Sequence, residues 1–262
     1  MAATGITRLA AGVRTCLAGA GEVLVPQTCG ACGARRPAEG GLCGECSLEL
    51  LTFVALPYCP RCGHTLGPNI PPREGGCGGC PDPLPRFERV FRLGPYAGCL
   101  RRAVRDLKYH RHLAMRKRLT RLLAERVAAS LPAGEVFDVV VPIPMHWLRR
   151  LARGFDHAGT IASALAARLG VPMGDELVRT RNTPPQAHLP RTRRIENVHG
   201  AFRVRSEATV RGASILLVDD VTTTGATANE AARTLLRADA NRVALAVLAK
   251  AEPPTAYAHA MA

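Results

Sequence analysis

Lysine is almost missing from this 262-residue chain. Only Lys108, Lys117 and Lys250 occur, although lysine and arginine together number 35. The basic charge is therefore carried by arginine, and against 21 acidic residues it leaves a formal net charge of +14. Such an excess favours anionic partners: nucleic acid, phosphates or an acidic protein. Aromatic residues are also scarce, at 4%, so stacking on aromatic rings can only be a minor theme. No apolar run approaches the ~20 residues of a membrane-spanning helix; the longest, such as Val243–Ala249, are far shorter. Arg8 and Arg14 interrupt the N-terminal apolar text, so it does not read as a secretory signal. Residues 1–25 read instead as an amphipathic helix, and the cytoplasm is the expected compartment, with no membrane insertion. At 47% hydrophobic residues the chain can bury a sizeable core, which excludes a wholly disordered protein.

What is abundant is cysteine, and it is patterned. Eight of ten cysteines form four Cys-x-x-Cys pairs: Cys29/Cys32, Cys43/Cys46, Cys59/Cys62 and Cys77/Cys80. Each pair turns two thiolates toward one point, and two pairs make a tetrahedral Cys₄ zinc site. A disulfide framework belongs to short secreted chains, so the pattern reads as two structural zinc sites. Four thiolates leave no open coordination position, which excludes a catalytic zinc here. Two such sites would lower the net charge to about +10. Sequential pairing is the simplest arrangement and a cross-braced one is the alternative. Short hairpins are expected between the knuckles, with little hydrophobic packing, so that zinc supplies much of the folding energy. His64 reads as a surface residue, with ligation in place of a cysteine as the alternative, and Cys16 and Cys99 as ordinary half-buried residues.

Pro81-Asp-Pro-Leu-Pro85 is a break. We divide the chain there, into 1–25, a ribbon at 26–85 and a larger domain at 86–262. Beyond the break, strand text at 90–93, 136–141, 214–218 and 243–249 alternates with helical text at 98–108, 113–129, 159–169 and 227–237. Two further strands, 177–180 and 201–204, flank a polar, arginine-rich loop. Alternating strands and helices predict an α/β fold with a doubly wound parallel sheet.

One segment carries chemistry. Ile215-Leu-Leu-Val-Asp219-Asp220-Val-Thr222-Thr223-Thr224-Gly225-Ala226-Thr227 is an apolar strand ending in two carboxylates, then a hydroxyl-rich turn opening a helix. Free N–H groups at a helix start bind anions. Threonine hydroxyls add donors, and Gly225 and Ala226 let a phosphate approach. The carboxylates Asp219 and Asp220 can accept from a cis-diol or meet a metal ion. The combination calls for a phosphorylated sugar with free hydroxyls, placed at the carboxyl ends of the strands. Neither a Walker loop nor Gly-x-Gly-x-x-Gly is present.

This segment resembles the phosphoribosyl pyrophosphate (PRPP) motif of type I phosphoribosyltransferases. By that resemblance Asp219 and Asp220 would hold the ribose hydroxyls and Thr222–Thr227 the 5′-phosphate, with Mg²⁺ bound alongside PRPP. Val141-Pro-Ile-Pro144, Arg153-Gly-Phe155, Gln186-x-x-Leu189, Arg194-x-x-Asn197, Gly200-Ala-Phe202 and Leu107-Lys108-Tyr109 are similar to stretches of ComF-type proteins, as is the double zinc ribbon. That family is linked to DNA uptake in natural competence. Arg149, Arg150, Arg153, Arg194 and Lys108 are then candidates for the pyrophosphate side, since arginine binds phosphate bidentately. The sequence departs from the family at Asp156-His157, where Asn-Gln is common. Two functions follow from this reading. One is a phosphoribosyltransferase, its acceptor not legible. The other is an inert PRPP sensor or single-stranded-DNA handling protein using the ribbon and the basic helices (Arg116, Lys117, Arg118, Arg121), with a helicase or other uptake protein as a possible partner.

Overall fold

The computed structural model describes residues 28–35, 41–67, 70–107, 113–146, 156–182 and 196–258. The 1–25 helix, Cys16, Lys108, Arg149, Arg150, Arg153 and Arg194 lie outside the described residues.

The frame is a four-stranded, wholly parallel sheet. Its strands are β3 (Val90–Pro95), β4 (Val139–Pro142), β7 (Ser214–Thr222) and β8 (Arg242–Lys250), in the order β3-β8-β7-β4. Two short antiparallel pairs accompany it: β1 (Pro72–Arg73) with β2 (Gly76–Cys77), and β5 (Leu177–Arg179) with β6 (Phe202–Val204). The helices are α1 (Gly44–Ala55), α2 (Gly98–Asp106), α3 (Leu113–Ser130), α4 (His157–Leu169) and α5 (Ala226–Arg237).

The strands are apolar on both faces because both faces are covered. Along β7, Leu216 and Val218 join a core with Leu119, Leu123, Ile161 and Leu165 of α3 and α4. Ile215 and Leu217 point the other way, onto Ala228, Ala231, Ala232 and Leu235 of α5. That is the doubly wound arrangement read from the sequence. The α4 helix starts where the Asp156 carboxylate accepts from the Gly159 N–H at 3.0 Å, and ends at Gly170, φ 71°. Asp156 is thus an N-cap, a role open equally to asparagine.

Several expected boundaries shift. The strand expected over 136–141 begins only at Val139. Val136 is 66% exposed, and Asp138 accepts from the Ser214 N–H instead. The strand expected over 214–218 continues to Thr222, because β8 pairs with it as far as Thr222↔Lys250. Cys99 is fully buried rather than half-buried.

The largest correction concerns the ribbon. Among the described residues, a hairpin between knuckles, β1–β2, occurs in the spacing between Cys62 and Cys77. The spacing between Cys46 and Cys59 is filled by helix α1. Its Leu50 and Phe53 are buried in one core with Leu93, Leu100 and Leu248. The first ribbon therefore does have hydrophobic packing, shared with the parallel sheet.

Candidate functional site

The eight knuckle cysteines gather into two quartets, Cys29/Cys32/Cys43/Cys46 and Cys59/Cys62/Cys77/Cys80, the sequential pairing. A tetrahedral site with Zn–S of 2.3 Å requires sulfurs roughly 3.8 Å apart. Observed separations are 3.7 Å for Cys32–Cys43, 3.7 Å for Cys59–Cys80 and 3.6 Å for Cys62–Cys77. Backbone N–H groups point at the sulfurs, as from Cys43 to Cys29 and from Gly79 to Cys77. Burial and crowding by neighbouring thiols push Cys46 and Cys62 up, so four thiolates need a cation among them. The donor set fits structural zinc. His64 belongs to neither quartet; its Nδ1 pairs with the Glu252 carboxylate at 3.2 Å.

The carboxylate pair stands near the carboxyl end of β7. Asp219 accepts from the Asp220 N–H at 2.9 Å, and Asp220 from the Val221 N–H at 2.7 Å. Burial, and then the charge of Asp220, raise the Asp219 carboxyl well above the ordinary range. Two adjacent acids held this way favour a cation or hydroxyl donors between them.

Thr222 pairs with the last residue of β8, and the chain then turns through Thr223 and Thr224. Gly225 takes φ 80° and serves as N-cap of α5, a left-handed conformation suited to glycine. Thr224 Oγ1 accepts from the Ala226 N–H at 3.3 Å. The first turn of α5 directs its N–H groups and the positive end of its dipole into this turn. The structure thus brings Asp219, Asp220, Thr222, Thr223, Thr224, Gly225, Ala226 and Thr227 together.

Three features were not read from the sequence. A cleft of about 550 Å³ opens between Thr222–Gly225, the end of β8 and the second ribbon, with Phe87, His64 and Lys250 among its walls. The Lys250 ammonium donates to the Thr223 carbonyl. Glu252 is a hub: Thr65 Oγ1 and N donate to it at 2.5 and 2.9 Å, and Arg92 at 3.0 Å. Burial alone would raise the Glu252 carboxyl, but His64, Arg92 and Thr65 outweigh it and hold it at about 2. A third missed residue, Glu230, accepts from the Gly200 N–H and pairs with Arg233, fixing the 196–200 turn against α5. The one signal was Lys250, a rare lysine closing an apolar strand.

On the opposite helical side, a groove of about 740 Å³ runs between α3 and α4. Lys117, Arg118, Arg121 and Arg168 line it over alanines 114, 164 and 167. Glu125 pairs with Arg121 and Arg168 at its edge.

Residues 107–259 match the phosphoribosyl transferase domain and residues 20–81 the double zinc ribbon domain. Among curated proteins, the chain is 33% identical to the "DNA utilization protein YhgH" of Salmonella typhi, over 81% of this chain and 92% of that protein. It is 28% identical to "Competence protein F" of Haemophilus influenzae, over 82% and 92%. A solved adenine phosphoribosyltransferase from Leishmania tarentolae aligns over 56% of this chain and 74% of its own, at 14% identity and a TM-score of 0.35, too slight a likeness to bear on function. No helix among the described residues is long and apolar enough to cross a membrane.

Proposed function

The chain belongs to the ComF-type family, a double zinc ribbon followed by a phosphoribosyl transferase domain, and from that premise we propose that it binds Mg²⁺–PRPP at the end of β7. The observation that carries this reading is the Asp219–Asp220 pair leading directly into the Thr222–Thr227 turn at the start of α5. The turn supplies hydroxyls, backbone N–H groups and a helix dipole for the 5′-phosphate. The carboxylates accept from the ribose hydroxyls, and the magnesium ion arrives with the pyrophosphate.

The same residues suit phosphoribosyl transfer. Pyrophosphate departs from C1′ with the electron pair of the C1′–O bond, and positive charge develops on the ribose ring. Fixed carboxylates near that charge stabilise it without reorganising. A nitrogen nucleophile then forms the new C1′–N bond and gives up a proton. Arg149, Arg150, Arg153, Arg194 and Lys108 are proposed for the pyrophosphate side. The relatives' printed names, "DNA utilization" and "Competence", support placing this activity beside the handling of incoming DNA.

A second reading is favoured by the groove between α3 and α4. Four cations over an alanine floor suit the phosphate backbone of single-stranded DNA, with little base readout.

Calorimetric titration of Mg²⁺–PRPP into zinc-loaded protein tests the first reading. Saturable binding is expected for the wild type, with loss in Asp219→Asn/Asp220→Asn. Absence of binding to the folded wild type would overturn it.

A further inference from the structure

Two zinc ribbons precede the sheet, and among the described residues it is the second that borders the cleft beside the 222–227 turn. Its first line of contact runs through Arg61, inside the third knuckle. Arg61 Nη1 and Nη2 donate to the carbonyls of Phe87 and Pro85 at 2.8 and 3.0 Å. The Phe87 ring in turn lies over Gly225, 3.6 Å from where a Cβ would stand. The second line runs through residues 64 and 65, just beyond Cys62. His64 and Thr65 bond the Glu252 carboxylate, and Arg92 of β3 joins them, donating also to Thr65 Oγ1 at 2.6 Å. Both Arg92 and Glu252 are buried. Next to Glu252, the Ala251 N–H donates to the Thr222 carbonyl at 2.8 Å and Lys250 to the Thr223 carbonyl. The third line runs through Lys250: Gly63 packs against Val90 and the Lys250 side chain, and the Val90 N–H donates to the Pro60 carbonyl at 2.6 Å.

The first ribbon takes a different path. Cys29, Cys43 and Cys46 belong to the core with α1, α2 and α3, and none of them lines the cleft beside the turn.

We infer that the second ribbon positions the sugar-phosphate turn, so that Thr65, Glu252 and the Cys59/Cys62/Cys77/Cys80 site control how well residues 222–227 are ordered, whereas the first ribbon supports only the core. Thr65 and Glu252 are positioning residues: they act through residues 250–251 on the carbonyls of Thr222 and Thr223, and their contacts hold the backbone that offers N–H groups to phosphate. The ligand named here rests on the PRPP reading; the mechanical coupling does not.

The test uses the full, zinc-loaded chain as wild type, Thr65→Val, Thr65→Ser, Glu252→Gln and, in the first ribbon, Cys46→Ser. Amide hydrogen exchange is followed in peptides covering 220–228, with 243–249 of β8 as the measure of intact fold. Exchange in 220–228, taken relative to that in 243–249, is expected to rise about tenfold or more in Thr65→Val and Glu252→Gln. Thr65→Ser, which keeps the hydroxyl, should return that ratio close to wild type, and Cys46→Ser should change 220–228 no more than it changes 243–249. Mg²⁺–PRPP titrated into the same samples should weaken in the same order. An unchanged ratio in both Thr65→Val and Glu252→Gln overturns the inference, as does an equal rise of the ratio in Cys46→Ser. Loss of 243–249 protection in Thr65→Val also counts against it, because the contact would then hold the fold rather than the turn. A wild type that ignores PRPP but shows the exchange pattern overturns the PRPP reading and leaves the coupling standing.

Discussion

Asp219 is a residue whose surroundings oppose its charge. Half-buried, desolvated and beside Asp220, its carboxyl is raised. An acid raised in the folded state holds its proton longer there than in the unfolded chain. The fold therefore loses stability as pH climbs from the ordinary carboxylate value toward the raised one. Asp219→Asn removes that slope. Its melting temperature should equal or exceed that of the wild type, with the gain larger at about pH 8 than at about pH 5, while Mg²⁺–PRPP binding is lost. Thermal scans at both pH values check the sign; a gain that shrinks with pH contradicts it. Glu252 is the opposite case. It is an acid held at about 2 by three partners, and breaking a buried pair on one side costs about 3–5 kcal/mol. Glu252→Gln should lower the urea midpoint accordingly. The acidic pair was legible from its sequence context. Glu252 was not, since its partners lie 160 and 187 residues away, and no local pattern marks such a meeting.

At the scale of elements, the β7–turn–α5 unit and the first ribbon make separate demands. Gly225 sits at φ 80°, where a side chain costs about 1–2 kcal/mol. Gly225→Ala should lower the melting temperature by roughly 2–8 °C for a domain of this size and weaken PRPP binding, because alanine draws the turn away from the left-handed backbone that glycine adopts there. Calorimetry beside a thermal scan reads both. Helix α1 was missed because the spacing of the knuckles suggested hairpins, and the Leu-Glu-Leu-Leu-Thr-Phe text between them was not weighed as a helix. Its Leu50 and Phe53 tie the first zinc site to the sheet, so Cys46→Ser should lower the melting temperature of the whole chain in a single transition. Two separate transitions would contradict that shared core.

For the whole molecule, the question is where the arginine excess goes. Part of it lines the groove between α3 and α4. If four cations meet a single-stranded backbone there, the logarithm of affinity should fall against the logarithm of salt with a slope of about −2.8. Lys117→Glu/Arg121→Glu should flatten that slope by about 1.4; fluorescence anisotropy at several salt concentrations decides it, and an unchanged slope removes the groove from the DNA reading. Periodicity and spacing were enough to specify the parallel sheet, the cysteine knuckles and the acidic strand leading into a threonine-rich turn. Those features depend on neighbours a few residues apart: alternation along a strand, two thiolates per knuckle, a glycine at a helix start. The tertiary structure alone decided that the second ribbon borders the cleft beside the turn, that α1 shares the core, and that Thr65, Arg92 and Glu252 meet in one buried cluster. Each of these joins residues distant along the chain, and a buried charge is tolerated only where such partners arrive together.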